Sequence, residues 1–482
     1  MGSDPFTLGV ASGDPTSDTV VLWTRLAPDP LAGGGMPDGD VEVTWELSRD
    51  DTFDVIELSG TEIATADHAH SVHAQVPRPD GTASTWAYRF RVGSYTSPVG
   101  TTGFAPAPGV ATSSVSFASA SCQHYESGFY TAHRDLAAQG ADFVVFLGDY
   151  IYEGGQRAVD DIDTVRTHGT DECTTLAGYR DRYALYKSDA DLQAAHAACP
   201  WFVIWDDHEV ENNYAGLTPQ DPADQPTFEQ RRQAAYQAWW EHQPVALAAP
   251  TGGDYPIFRS VQWGDLVQLV LVDGRQYRSD QACGDVTLNL DPPCPETADP
   301  SRTMLGSVQE TWMFDQLGRS TATWNVIGQQ TVFGDTTVGG AVLNYDQWDG
   351  YPAQRNRIVD RLAAEEVGNV VVLTGDIHFA GTGTIRSGGR GVGTPVGVEF
   401  VATSISSGGL IDPAVTDVVR AIPDILDAEL EHRGYILHEV SPTRWSAEYR
   451  MVDTVKLPDS PVFVHATYQV DVGSNQVRFA DA

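Results

Sequence analysis

An α/β core preceded by a small N-terminal β-sandwich is the fold this sequence predicts, and three observations carry that expectation. The chain has 482 residues, too many for one ordinary hydrophobic core, so two domains are expected. Up to residue 108, short alternating apolar runs (Val20–Trp23, Val41–Leu47, Trp86–Val92) stand between Gly, Pro and Asp clusters, which is the pattern of a sandwich. From Val115 onward, strand-like runs alternate with helical periodicity, as in a sheet built with parallel crossovers. The stretch FAPAPGV at 104–110 reads as a linker. It divides the chain into 1–108 and 109–482.

The elements of the second part follow in order. A strand at Val115–Ala120 leads to a helix around Phe129–Gln139 and a strand at Phe143–Leu147. Helical patterns over Leu176–Tyr186 and Leu192–Ala198 precede the strand Trp201–Trp205. A helix near Thr227–His242, carrying Tyr236, Trp239 and Trp240, is followed by the strand Leu266–Val272. Then come the helix Ser307–Leu317, the strand Trp324–Ile327, the helix Gln354–Val367 and the strand Val370–Leu373. From Tyr435 the chain returns to hairpin-like strands, Ile436–Val440 and Phe463–Val470 among them. There is no internal repeat and no low-complexity tract.

Composition narrows the setting. The net charge is -37, and of the 29 basic residues only Lys187 and Lys456 are lysines. Such a surface repels nucleic acid and anionic lipid, so no nucleic-acid-binding surface is expected. Mean hydropathy is -0.25, and no run of eighteen apolar residues marks a transmembrane segment. The first twenty residues lack a charged region followed by an apolar one, so an export signal is read as already removed and the protein as secreted or cell-surface. A monomer is expected. The acidity points to a high-salt habitat, since salt shortens the range of self-repulsion to about 3 Å at 1 M. Melting temperature and kcat/KM should therefore both rise from low to molar monovalent salt, with free calcium held fixed and an uncharged osmolyte as control. Flat or falling stability across that range removes the halophilic reading.

Four polar clusters sit where an apolar strand ends: Ser121-Cys122-Gln123, Gly148-Asp149-Tyr150-Ile151-Tyr152, Trp205-Asp206-Asp207-His208-Glu209 and Thr374-Gly375-Asp376-Ile377-His378. Taken singly, each has an ordinary structural explanation as a turn, a cap or a packed side chain. Together they converge, because ligands bind outside the carboxyl ends of strands in open α/β sheets. Their donors divide by chemistry. Cys122, Tyr152 and His378 offer thiolate, phenolate and imidazole, which suit a trivalent Lewis-acidic ion such as iron. Asp207 and Asp376 offer oxygen alone, which suits calcium, magnesium or manganese. Asp149 has two carboxylate oxygens and can bridge both.

With these residues in place the chain resembles the PhoD-like alkaline phosphatase/phosphodiesterase family of the metallophosphoesterase superfamily. The motifs that carry the resemblance are FTLGVASGDPTSDTVVLWTRL, SCQ, GDYIYE, WDDHEVENNY, MLGSVQETW and TGDIHF. It implies a metallophosphoesterase-type α/β sandwich core with Fe(3+) on Cys122, Asp149, Tyr152 and His378. It places Ca(2+) on Asp149, Asp207 and Asp376, and His208 beside the leaving group. Asn212 is a candidate further ligand or phosphate contact. The sequence departs from its relatives at Gly274, where they tend to carry threonine, and its tail reads as strand where some members carry a lid helix.

The reaction expected is hydrolysis of small phosphate mono- and diesters by a metal-activated hydroxide, with His208 as general acid. Arg275 and Arg278 can steady the phosphate bidentately; salt bridges to Asp273 or Asp280 are the competing reading. A phospholipase D-type phosphodiesterase is the alternative enzyme. A wall- or polymer-binding protein with a vestigial site is the non-enzymatic one, and the intact donors at all four strand ends argue against it. Of the five cysteines, Cys122 is the thiol assigned to metal. The other four allow three pairings, and the local one, Cys173–Cys199 with Cys283–Cys294, is expected.

Overall fold

The computed structural model of the chain describes residues 3–80, 84–157, 164–284, 289, 291–364, 367–409 and 413–480. Two large sheets face each other. The first has ten strands, in the order Arg478–Phe479, Val462–Asp471, Arg444–Val452, Arg433–Val440, Val115–Ala120, Phe143–Phe146, Trp201–Val203, Val10–Gly13, Thr19–Arg25 and Ser71–Pro77. The second has seven, in the order Arg259–Trp263, Val267–Leu271, Trp324–Gly328, Val370–Thr374, Pro395–Val401, Ala380–Arg386 and Ile425–Glu429. Val145, Leu147 and Val203 from the first join Leu271, Val326, Leu373 and Phe400 from the second in one core cluster. Each such wholly buried side chain contributes about 1.5–3 kcal/mol, so the paired sheets hold the floor of whatever lies at their ends.

The strands that matter most are parallel. Val115–Ala120, Phe143–Phe146 and Trp201–Val203 run together in the first sheet. Val267–Leu271, Trp324–Gly328, Val370–Thr374 and Pro395–Val401 do so in the second. Their carboxyl ends meet at one edge, where Ser121 bridges to Ser404 in parallel and Gln330 Nε2 donates to the Trp205 carbonyl at 2.8 Å. The expected strands of the core are all present, shifted by a residue or two at their ends. The helix expected over Gln354–Val367 runs Pro352–Ala364, with 365–366 outside the described residues. The helix expected at Phe129–Gln139 shrinks to Thr131–Ala137.

The N-terminal stretch carries two sets of strands. Val41–Ser48, Leu58–Ala64, Thr85–Val92, Tyr95–Thr96 and Gly100–Gly103 form a separate sheet. Val10–Gly13, Thr19–Arg25 and Ser71–Pro77 extend the first large sheet, joined to it by a parallel pairing of Gly13 with Trp201. Leu22 and Val76 from this extension share a core cluster with Leu47 and Trp86 of the separate sheet. Alternation along a strand reports which face is buried, but not which sheet the strand joins. Trp23 is tied further inward, its Nε1 donating to the Glu241 carbonyl at 3.0 Å.

The cysteines correct one expectation. Cys283 and Cys294 form a disulfide, but Cys173 and Cys199 are free and buried, as is Cys122. Cys173 Sγ packs against the first turn of the helix Leu176–Lys187, 3.5 Å from the Gly178 carbonyl. Cys199 instead caps the end of the helix Ala190–Ala198. Cys173 precedes one helix and Cys199 ends the next, an arrangement that proximity in sequence could not reveal. Denatured, unreduced protein should accordingly show three titratable thiols and one cross-linked peptide pair, Cys283 with Cys294. By loop-closure entropy that bridge adds about 3 kcal/mol.

Candidate metal centre

Every predicted ligand sits just past the end of a parallel strand, and the backbone there is bent to aim side chains inward. Cys122, Asp149, Asp376 and His378 have φ of 59°, 56°, 62° and 60°. A left-handed conformation costs a non-glycine residue about 1–2 kcal/mol, and four at one edge are sustained only by the packing around them. Two glycines let the loops close. At Gly148 a Cβ would lie 2.4 Å from Asp206 Cβ and 2.6 Å from its amide nitrogen, and at Gly375 a Cβ would lie 2.6 Å from Ser121 Oγ. Glu209 clamps the turns: Oε2 accepts from the amides of Asp149 (3.0 Å) and Asp206 (2.8 Å), and Oε1 from that of Tyr150 (2.5 Å).

Three overlapping donor groups result. Cys122, Asp149 and His378 place ligand atoms within 4.8 Å of one another, as do Asp149, Asp207 and His208, and Asp206, Asp207 and Asp376. Tyr152 completes the first group, its hydroxyl 2.9 Å from Asp149 Oδ2 and 2.9 Å from His378 Nε2. Ser407 Oγ steadies that hydroxyl from 2.8 Å. Asp149 belongs to two groups, and its Oδ1 is buried without a hydrogen-bond partner. A buried carboxylate oxygen left open in this way is the coordination position a cation would use.

The electrostatics agree. Burial, then the nearby Asp149 carboxylate, pushes the Cys122 thiol and the Tyr152 phenol well above their ordinary values. Burial also pushes Asp149 well up, and burial together with Asp346 raises Asp376 to about 6. Without a cation the thiol and phenol keep their protons, and a multiply charged cation reverses that. Asp207 goes the other way: burial opposes ionisation, but Arg275 and His208 outweigh it and hold the carboxyl well below its usual range. His208 Nδ1 lies 2.7 Å from Glu153 Oε2. Burial pulls its pKa down, yet Glu153, Asp149 and Asp207 together raise it well above the ordinary value.

A cavity of about 420 Å³ opens over Asp149, Asp207, His208, Asp376 and His378, and Asn212 and Asn213 line its rim. Asn212 Nδ2 donates to Gln220 Oε1 at 2.7 Å, and its amide donates to Glu153 Oε1 at 2.7 Å. Arg275 lies beneath these groups. It is wholly buried and its guanidinium is spent on carboxylates: Nε on Asp206, Nη1 and Nη2 on Asp346 at 2.7 and 2.8 Å, and Nη2 also on Asp376 at 3.2 Å. It holds the carboxylates of the site and is not among the residues lining the cavity. Arg278 likewise serves Tyr351 Oη and the Asp346 carbonyl at 3.0 Å each. The guanidinium groups pair with Asp206, Asp207, Asp346 and Asp376, and Asp273 instead accepts from the Arg275 backbone amide at 2.9 Å.

Sequence reasoning leaves out Asp206, Glu209 and Glu153, although all three lie inside the quoted motifs. The excess of carboxylates over what two ions need was the available signal. Asp346 and Gln347 also escape it. Gln347 Nε2 donates to Asp376 Oδ2 at 2.5 Å, from a loop with no strand or motif to mark it.

Comparison with known proteins bears on this arrangement. The model of the PhoD-like phosphatase family matches residues 117–449, and that of the PhoD-like phosphatase N-terminal domain matches 1–106. Alkaline phosphatase D of Bacillus subtilis (strain 168) is 45% identical over 478 residues, 97% of this chain and 81% of the relative. A solved structure of PhoD superposes with a TM-score of 0.95 at 44% identity, covering 100% of this chain and 93% of that one. A purple acid phosphatase from yellow lupin (Lupinus luteus) seeds shares the fold at a TM-score of 0.57 and 11% identity, over 96% of this chain and 74% of that one. The chain belongs to the PhoD-like phosphatase family and is a phosphoesterase.

Proposed function

We propose that the protein is a secreted enzyme hydrolysing small phosphate mono- and diesters, with residues 1–108 buttressing a catalytic domain at 109–482. In this reading Cys122, Asp149, Tyr152 and His378 hold iron(III), and Asp149, Asp207 and Asp376 hold calcium. The observation that carries it is the chain of donor groups linked through Asp149 and Asp207 on the floor of one cavity. Sulfur, phenolate and imidazole donors cluster at one end and oxygen donors at the other, the division between a transition metal and a hard cation.

Ions held there supply Lewis acidity toward the phosphoryl oxygens and a hydroxide at working pH. The chain's own residues do the rest. Glu153 fixes His208 through Nδ1, which leaves Nε2 as the ring nitrogen able to face the cavity that His208 lines. The Glu153 carboxylate favours the protonated ring, so Nε2–H protonates the departing alkoxide as the ester P–O bond breaks. Arg275 holds Asp206, Asp346 and Asp376 in place, so that they need no reorganisation during the reaction. Asn212 and Asn213 present amide groups at the cavity rim.

Metal analysis tests the assignment directly, and colour tests it by a second route. Phenolate or thiolate on iron(III) gives a charge-transfer band, so the loaded protein should be coloured. Tyr152→Phe or Cys122→Ala should shift or bleach that band. A colourless, zinc-only protein with full activity rules the iron assignment out.

A further inference from the structure

The segment after the strand Pro395–Val401 packs along the Ser121-Cys122 turn. Ser404 bridges to Ser121, and the Ile405 amide donates to the Ser121 carbonyl at 2.9 Å. Ser407, three residues on from Ser404, is buried and meets three partners through one oxygen. Its Oγ accepts from the His124 amide at 3.0 Å and lies 2.8 Å from both the Cys122 carbonyl oxygen and Tyr152 Oη. Its own carbonyl is held by Arg433 Nε at 2.8 Å and by Ser404 Oγ at 2.9 Å. The next carbonyl, of Gly408, accepts from His378 Nδ1 at 2.8 Å. Two consecutive residues thus touch two of the candidate ligands, Tyr152 and His378, from the side away from the sheet strands that carry them.

A hydroxyl carries one proton, and that of Ser407 has two acceptors within reach. The Cys122 carbonyl has other donors, the amides of Ser406 and Ser407 at 3.4 and 3.3 Å. Tyr152 Oη has none once its own proton is gone. Among the described residues its other hydrogen-bonding neighbours are Asp149 Oδ2 and His378 Nε2, each at 2.9 Å. The carboxylate only accepts, and the Gly408 carbonyl keeps the imidazole proton on Nδ1, so Nε2 is bare. We propose that Ser407 is a positioning residue for Tyr152: when Tyr152 serves as a phenolate ligand, the Ser407 hydroxyl turns from the Cys122 carbonyl to the phenolate oxygen and weakens its donation to the ion. A charged acceptor makes about twice as strong a hydrogen bond as a neutral one, which favours the turn. A partner of this kind, one shell out from the ion, tunes its Lewis acidity through the ligand it touches. The inference deepens the iron reading proposed above and rests on it.

The test is spectroscopic, on the iron-loaded full chain. Ser407→Ala should move the charge-transfer band to longer wavelength, because a phenolate without its hydrogen-bond donor is the better electron source. In a redox titration the ferrous-to-ferric ratio at a fixed potential should fall by about three- to tenfold, the scale of one hydrogen bond to a charged group. Ser406→Ala is the control. Its Oγ lies in the same segment but donates to the His124 carbonyl at 3.0 Å rather than to Tyr152, so the band should stay in place. Ser407→Thr keeps the donor and should return the band most of the way. If Ser407→Ala does not fold, the wild type decides alone. Loaded with iron in deuterium oxide instead of ordinary water, its phenolate modes in resonance Raman should shift as the serine proton is replaced. A coloured protein whose band ignores Ser407→Ala, or whose phenolate modes ignore deuterium, overturns the role of Ser407 and leaves the iron reading intact. A colourless wild type after iron loading overturns the iron reading, and this inference with it.

Discussion

Replacing His208 by asparagine should lower kcat by about 10²–10⁴-fold on esters of ordinary alcohols, the range that a positioned proton donor contributes. The loss should be far smaller on 4-nitrophenyl esters, because 4-nitrophenolate departs without a proton. A merely structural histidine would depress both substrates alike, so the ratio of the two effects is the diagnostic. Glu153→Gln should reproduce part of the effect, since the 2.7 Å contact to Nδ1 both orients the ring and raises its basicity. The sign of the pH effect follows from the same contacts. A raised pKa keeps the proton on as pH increases, so the activity dependent on this acid is lost only on the alkaline side. Cations on Asp149 and Asp207 cancel two of the carboxylates that raise it, which leaves Glu153 as the group that keeps the proton on in the loaded enzyme. Equal losses on both ester types would leave His208 without the role of acid.

The core of the fold was legible because buried parallel strands read as continuous apolar runs, and Phe143–Phe146 and Val370–Thr374 are such runs. The donor clusters were legible because they follow those runs directly. What escaped was information carried by contact between distant segments. The run Val20–Trp23 reads as part of a sandwich, yet its strand Thr19–Arg25, together with Val10–Gly13, extends the core sheet. Arg275 stands in a motif-like setting, and an arginine near carboxylates and a phosphate site can serve either. The ion pairs with Asp206, Asp346 and Asp376 come from three distant segments that the sequence alone does not bring together. Cys173 and Cys199 are close in sequence but belong to different helix ends. The helix Pro413–Arg420 and the strands Ala380–Arg386, Pro395–Val401 and Ile425–Glu429 also went unmarked, lying among Gly-rich segments that dilute periodicity.

Calcium removal should abolish turnover reversibly while leaving the colour largely in place. The two ends of the donor chain differ in kind: Asp207 and Asp376 bring oxygen alone, whereas Cys122, Tyr152 and His378 bring softer or more basic donors. A calcium chelator at moderate concentration therefore empties the first end before the second. The Lewis acidity lost there is worth several kcal/mol, so the rate should fall on the order of 10³-fold. Calcium should restore it, with magnesium restoring less because it demands a tighter octahedral shell. A pH dependence comes with this. Asp376 holds its proton up to about pH 6 in the absence of a cation, and bound calcium must displace that proton. Calcium affinity should therefore weaken as pH falls through 6, and binding below that pH should release protons measurable in weakly buffered solution. Asp376→Asn should remove the proton release along with most of the affinity. Rates unchanged after thorough chelation and gel filtration would show that the oxygen-only end holds no ion needed for catalysis, and the reaction would then depend on the first donor group alone.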